Sequence, residues 1–457
     1  MFRFYITLAQ ILTLSTFAYG QGKDVLNTQI IDGAWSHGTV CTVRNGELYC
    51  WGSNINGNLG QGTCHVPFAP FYHAGSDDRG RTSIQDIEAI HDAKIVPNLS
   101  GMNTVVRKVV MAGFGACAIL DHTDPETLST DSSLVLRSSV KCWGNFSSTV
   151  HDLTPRTHVL PNPKLGKTNI ITDLITDLIL TDFMGCVLRD NEMQCWDLAR
   201  TQKNILDGVL QAIPIVLQPA NDGTVLDEGI TQIYGGLGGF CAVKNHKLYC
   251  AGRNDFGQLG NQTSSPCHST NYLAPVHVAL PKDKMVQHVE IDQYTHCVTT
   301  TDGHVYCSGA DPLSAFGFKT NKILGDFSCS EKLSRVSDVH DVRKVALSGQ
   351  TTCYLFQDQT IQCRGNNLGG QLANVSQERC VYGVSDASLV TPCSTSPLSI
   401  SLREKPLKAK DLSAFNGGFC AVSVSNDVYC WGSNQEGSLG RGFLSAFEQD
   451  LKPVLFQ

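Results

Sequence analysis

A ten-residue phrase opened and closed by cysteine recurs along this chain, and it confines the chain to a repeat architecture. It reads Cys41-Thr-Val-Arg-Asn-Gly-Glu-Leu-Tyr-Cys50 and returns at Cys186–Cys195, Cys241–Cys250, Cys297–Cys307, Cys353–Cys363 and Cys420–Cys430, with a stretched copy at Cys117–Cys142. The seven first cysteines stand 55 to 76 residues apart by subtraction of their numbers. Self-similarity at a fixed spacing marks a unit that cannot bury its apolar face alone and stacks on its neighbours.

Each copy reads as a β-hairpin. Asn45-Gly46 lies between two short β-rich runs, and Asn-Gly is a strong hairpin signal because a type I′ turn needs φ > 0 at both central residues. Pairing about that turn sets Arg44 opposite Glu47, Val43 opposite Leu48, Thr42 opposite Tyr49 and Cys41 opposite Cys50. In the non-hydrogen-bonded pairs of such a ladder the Cα atoms are about 4.5 Å apart. A disulfide usually spans roughly 4.4–6.8 Å. The register therefore permits direct cross-strand bonds Cys41–Cys50, Cys117–Cys142, Cys186–Cys195, Cys241–Cys250, Cys297–Cys307, Cys353–Cys363 and Cys420–Cys430. The same arithmetic holds about Asp190-Asn191 and Asn245-His246. Three copies carry one extra residue and centre on Asp302, Asp358 and Ser425, as three-residue loops, and Gly303 suits the left-handed position in one of them. Buried free thiols are the alternative, since cysteine packs well in cores; the compartment decides.

An aliphatic residue stands eight positions before the first cysteine in six copies: Val109, Leu178, Ile233, Val289, Val345 and Leu412. It marks a strand ahead of the hairpin. Glycine-rich stretches follow the hairpin at 51–60, 251–260, 364–372 and 431–440. No Gly-Lys-Ser/Thr and no helix pattern follows them, so they read as repeated turns and not phosphate loops.

These residues resemble the regulator of chromosome condensation repeat family. Cys241-Ala-Val, Leu248-Tyr-Cys250, Gly252, Asn254 and Gly257-Gln-Leu-Gly260 match its signature, as do Cys420-Ala-Val, Val428-Tyr-Cys-Trp-Gly432, Asn434 and Gly437-Ser-Leu-Gly440. The resemblance implies an all-β, seven-bladed propeller of four-stranded antiparallel blades. The first blade begins near Lys23 and the chain ends Leu451-Lys-Pro-Val-Leu-Phe-Gln457. We expect the N- and C-terminal segments to share a sheet and close the ring.

Residues 1–20 have an early Arg3, an apolar middle and the small-x-small site Ala18-Tyr-Gly20, which is the pattern of a secretory signal. The expected mature unit is one propeller over 21–457, with insertions at 65–104, 121–137 and 376–400. The apolar run 170–180 is too short to span a bilayer and is broken by Asp173 and Asp177. It reads as a blade strand, and no membrane insertion is expected. Nineteen cysteines fit an oxidising compartment. Outside the hairpins, Cys380–Cys393 is the local pair, and the partners of Cys64, Cys267 and Cys329 stay open. Sequons at Asn98, Asn145, Asn261 and Asn374 fit the same compartment.

Net charge is −7 without a Lys/Arg run, which argues against a nucleic-acid partner. Catalytic signatures are missing, and the fourteen histidines have no ligand spacing. His65 and His268 follow loop cysteines and read as loop polar groups. We expect no catalytic residues, metal or cofactor. Trp51, Trp143, Trp196 and Trp431 each follow a second hairpin cysteine and read as blade packing. The expected function is a secreted, non-enzymatic binding propeller whose partner is an extracellular protein, recognised through loops on one face. The 65–104 loop supplies the candidate contacts Phe68, Phe71, Tyr72, Asp77, Asp78 and Arg79. A guanine-nucleotide exchange factor is the alternative that the family suggests, and an extracellular enzyme with a site in the central channel is another. Among relatives of the family, plant crinkly-type receptor ectodomains share the cysteine habit.

Overall fold

The computed structural model describes residues 29–30, 38–54, 57–62, 90–101, 103–112, 115–123, 136–147, 150–159, 174–203, 210–261, 272–311, 317–318, 322–324, 327–382 and 389–457. Among them there is no helix, and the strands form a seven-bladed β-propeller. Blade 1 is built from Gln29–Ile30, Val40–Arg44, Glu47–Gly52 and Ile90–Ile95, and blade 4 from Ile230–Gly236, Gly239–Lys244, Lys247–Arg253 and Tyr272–Val278. Blade 7 repeats the plan with Ala409–Phe415, Gly418–Ser423, Val428–Asn434 and Ser445–Pro453. The first strands of successive blades pack on one another around the axis.

The hairpins fold as their sequences dictate. Both turn residues are left-handed in Asn45-Gly46 (φ 54° and 76°), Asp190-Asn191 (50° and 63°) and Asn245-His246 (50° and 63°). In the longer loops one residue takes that region: Gly303, Gln359 and Asn426. Arg44↔Glu47, Val43↔Leu48, Thr42↔Tyr49 and Cys41↔Cys50 pair in that register. All seven hairpin cysteine pairs are disulfides, with Cα atoms 4.0–4.1 Å apart. Cys380–Cys393 is bonded as well, and so is Cys329. Cys64 and Cys267 lie outside the described residues.

The core is a set of seven seams. In each, the disulfide of one blade packs with the first strand and hairpin of the next. Cys41 and Cys50 share a buried cluster with Val109 and Trp143, Cys353 and Cys363 with Leu412 and Trp431, and Cys420 and Cys430 with Val40 and Trp51. The other four seams have the same make-up. The seventh seam joins blade 7 to blade 1, so the ring is closed. Radial closure of this kind leaves only short strand edges. Inner strands add charge pairs across two seams, Lys108–Asp177 at 2.5 Å and Lys344–Asp411 at 3.2 Å.

Three expectations need correction. Not every blade is a lone four-stranded sheet. Blades 5 and 6 gain a fifth strand, and blades 2 and 3 join through a short parallel pairing, Leu210↔His158 and Gln211↔Val159. The third strands of blades 2 and 3, Leu136–Ser147 and Glu192–Lys203, run 12 residues each, against 7 for Lys247–Arg253. Second, 65–104 and 376–400 are not pure insertions. They contain the outer strands of blade 1, Ile90–Ile95, and of blade 6, Leu389–Ser399. Only 121–137 lengthens a hairpin, with arms paired out to Thr123↔Leu136.

The third refines closure, which does bring both ends to blade 1 as expected. Most of the C-terminal segment is the outer strand of its own blade. Only its last residues cross to blade 1, where Phe456 pairs in parallel with Ala93. Gln457 N donates to Ala93 O and Ala93 N to Leu455 O. The Phe456 ring meets Tyr49 edge-on at 5.3 Å and lies under the Arg44 guanidinium at 4.6 Å. The N-terminal segment reaches the same blade as its innermost strand, paired with 42–43. The expected consequence of Phe456→Ala is a loss of about 1–3 kcal/mol, less than for a fully buried Phe, read from the urea midpoint. An unchanged midpoint would show that the ring does not depend on this contact.

Candidate functional site at the blade seams

Register fixes one special position per blade. The residue after the second cysteine faces the residue before the first. The seven pairs are Val40–Trp51, Ala116–Trp143, Gly185–Trp196, Phe240–Ala251, His296–Ser308, Thr352–Arg364 and Phe419–Trp431. All these third-strand residues are buried. Three of the tryptophans reach back into the preceding blade. Trp143 Nε1 donates to Asn58 O at 2.7 Å, Trp431 Nε1 to Gln371 O at 2.9 Å, and Trp51 Nε1 to Ser438 O at 2.8 Å across the closing seam. Each acceptor directly precedes the leucine of a glycine-rich turn. Ser308 Oγ repeats the contact, donating to Gln258 O at 2.8 Å.

The turns are built to receive this donor. Asn54, Asn254, Asn367 and Asn434 accept the leucine N–H of their own turns through Oδ1, at 2.9–3.3 Å. A glycine follows the leucine in two of the three turns that receive an indole, Gly60 and Gly440, and Ala373 in the third. A Cβ on Gly440 would lie 2.9 Å from Trp51 Nε1, and φ there is +62°. Both facts favour glycine. Sequence reading took the tryptophans as packing residues and missed this hydrogen bond. The signal was present, since each of the four well-formed turns is followed in the next blade by Trp or Ser at this position.

Blades 4, 5 and 6 depart from tryptophan with Ala251, Ser308 and Arg364. Arg364 is buried beside the blade 5 segment, where a Cβ on Gly317 would collide with its guanidinium. Its Nη1 donates to Asp338 Oδ2 at 2.6 Å and its Nη2 to Tyr354 Oη at 2.8 Å. Burial pushes the Tyr354 hydroxyl up to about 12, against an opposing pull from Arg364. In blade 5, His296 is fully enclosed, and among the described residues neither ring nitrogen meets a hydrogen-bond partner. Burial holds its pKa down to about 3. At the blade 3 turn, burial pushes the Asp182 carboxyl up to about 6, with Arg253 pulling it the other way. A cavity of about 320 Å³ opens in the blade 3–blade 4 seam, against Ala251.

The sequence candidates are scattered relative to this band. Phe68, Phe71, Tyr72, Asp77, Asp78 and Arg79 lie outside the described residues, as do His65 and His268. Asn98 and Asn374 are exposed, whereas the side-chain amide nitrogen of Asn261 is buried. Asn145 sits in the third strand of blade 2. Glu378, Cys380 and Cys393 place ligand atoms within 4.8 Å of one another, but the two sulfurs are joined and offer no thiolate.

Two segments, residues 45–89 and 245–293, match the regulator of chromosome condensation (RCC1) repeat. No curated protein sequence matches the chain. Solved structures resemble this chain at low identity. Prp20p from Saccharomyces cerevisiae, described with its binding to Gsp1p and histones, aligns over 89% of this chain and 85% of its own at 17% identity and a TM-score of 0.60. Human WBSCR16 covers 89% of this chain and 94% of its own at 16% identity and a TM-score of 0.58. The crinkly ectodomain of the Arabidopsis thaliana receptor kinase ACR4 covers 93% and 99% at 13% identity and a TM-score of 0.41.

Two opposite pH responses follow. His296 has a lowered folded pKa, so its contribution is complete above about 6.5 and is lost as pH falls towards 3, at up to about 1.4 kcal/mol per pH unit. His296→Leu flattens that slope in urea unfolding; an unchanged slope contradicts the assignment. Asp182 has a raised folded pKa, so stability falls as pH rises from about 4 to about 6. Asp182→Asn therefore gains about 1–3 kcal/mol at pH 7 and nothing at pH 3. Equal effects at both pH values would contradict it.

Proposed function

We propose that this ring is a secreted, non-enzymatic binding propeller that holds a partner protein through an apolar patch at the blade 6–blade 7 edge. The patch is the observation that carries the reading. Leu368 of the blade 6 turn, Phe443, Leu444 and Phe447 of blade 7, and Leu455 beyond it are all exposed. Two backbone approaches bring their segments together: a Cβ on Gly370, two residues from Leu368, would lie 3.0 Å from Phe447, and one on Gly442, beside Phe443, 3.6 Å from Leu455. Grouped exposed apolar side chains mark interaction sites, where single ones do not.

The patch has a rigid base. Buried Arg441 donates from Nη2 to Cys430 O at 2.8 Å and from Nη1 to Glu448 at 3.5 Å, anchoring the loop that carries Phe443 and Leu444. Asn434 Nδ2 donates to Phe443 O at 2.9 Å. A surface held this way loses little entropy when a partner docks. What it offers is apolar area and not paired titratable groups, which favours binding over catalysis.

The bridged cysteine pairs support a compartment outside the cytosol, where disulfides persist. The leader pattern in residues 1–20 and the exposed sequon asparagines Asn98 and Asn374 fit the same place. An exchange factor on this fold would work among reduced thiols, which the same pairs oppose. The loop with Phe68 and Tyr72 is a candidate second contact.

Leu368→Asp with Leu444→Asp places two charges in the patch. Capture of a partner from extracellular fluid, read by cross-linking and mass spectrometry, should fall at least tenfold with the urea midpoint unchanged. A companion variant removing 66–88 spares the outer strand of blade 1 and probes the candidate loop. Undiminished capture by the double variant overturns the patch reading.

A further inference from the structure

One seam of the ring lacks its filler. In blade 7 the facing pair is Phe419–Trp431, with rings stacked at 5.9 Å and 29° and the indole hydrogen-bonded to the blade 6 turn. In blade 4 the same pair is Phe240–Ala251. A methyl group stands where an indole stands elsewhere. Blade 3 also lacks the turn that would receive the indole N–H, because its third strand runs on as Glu192–Lys203. Donor and receiver are missing from the same seam.

The walls have not closed over the gap. The cavity of about 320 Å³ is bounded by Phe240 and Ala251 of blade 4 and by Met184 and Leu217 of blade 3, with Leu237 and Pro275 completing it. Its size lies at the small end of ligand pockets, roughly 300–1,000 Å³. Phe183 and Val216 also line it and are 57% and 93% exposed, so the cavity is open to the surface. No Asp, Glu, Lys, Arg or His is among its lining residues. The hydroxyl of Thr181, one of its few polar groups, is already used by the blade 3 turn, accepting from Met184 N at 3.1 Å. Such walls favour an uncharged ring, because an ionic group would lose hydration without compensation.

We propose that the blade 3–blade 4 seam binds an uncharged planar aromatic small molecule of indole size, which takes the place that the chain's own tryptophan takes in other seams. Stacking on Phe240 supplies part of the attraction, as Phe419 does for Trp431. This inference is independent of the partner-binding patch.

Indole itself is the probe, added to the intact chain and followed by ligand-observed NMR and thermal melting. Saturable binding with Kd of about 0.1–1 mM is expected for so small a ligand, with a rise in melting temperature. Ala251→Trp fills the seam from within and should melt higher than the parent and bind no indole. Ala251→Leu fills it in part and should weaken binding at least fivefold, which keeps the test decisive if the larger residue prevents folding. Zwitterionic tryptophan should bind at least tenfold more weakly than indole. Absence of indole binding overturns the proposal, as does equal binding by the Ala251 variants.

Discussion

This ring depends on blades holding their neighbours, and at four of the seven seams the contact that does so is a side chain of one third strand entering the turn of the blade before it. A four-stranded sheet cannot bury both of its faces by itself. Seven of them in a ring bury all but the rims, provided each seam fits. At three seams the fit is an indole that fills space and also satisfies a backbone carbonyl which would otherwise be buried without a partner, a loss of about 1–3 kcal/mol. At a fourth, Ser308 keeps the hydrogen bond and gives up the volume.

The disulfides matter because they set up this contact. Cys41 opposite Cys50 puts Trp51 opposite Val40. A one-residue slip would turn every side chain to the other face of the blade, and the indole would leave its seam. A bond closing so short a loop removes little chain entropy, so each contributes at the low end of about 2–4 kcal/mol. Its larger effect is to hold the register on which the seam relies. Where the position following the second cysteine has drifted to Ala251, Ser308 and Arg364, the hairpins are still bridged. The framework thus tolerates change at the seams, and these seams are where polar and open features gather.

How much of this was legible in the sequence follows from the range of the interactions. Turn type, strand register and cysteine pairing are local, and Asn45-Gly46 is enough to fix them in blade 1. The blade count follows from repetition. The outer strands were harder. Ile90–Ile95 has no cysteine or glycine signature, and the Cys393 of Leu389–Ser399 pairs locally with Cys380 and not across a hairpin of the repeat, so both passed for insertions. The seam contacts are longer in range: Trp51 and Ser438 lie 387 positions apart, and only closure of the ring brings them together. Arg364 could be seen as a departure from tryptophan, but its partners Asp338 and Tyr354 could not. The exposed strip from Leu368 to Leu455 is likewise set by adjacency of blades 6 and 7 and not by any motif.

The most direct test of the account is hydrogen–deuterium exchange at the indole N–H groups, resolved by nitrogen-labelled tryptophan. The N–H protons of Trp51, Trp143 and Trp431, donated to Ser438, Asn58 and Gln371, should exchange far more slowly than that of a free indole and become fast together when the ring unfolds. Exchange of all three at the free rate in the native protein would show that these side chains do not close the seams.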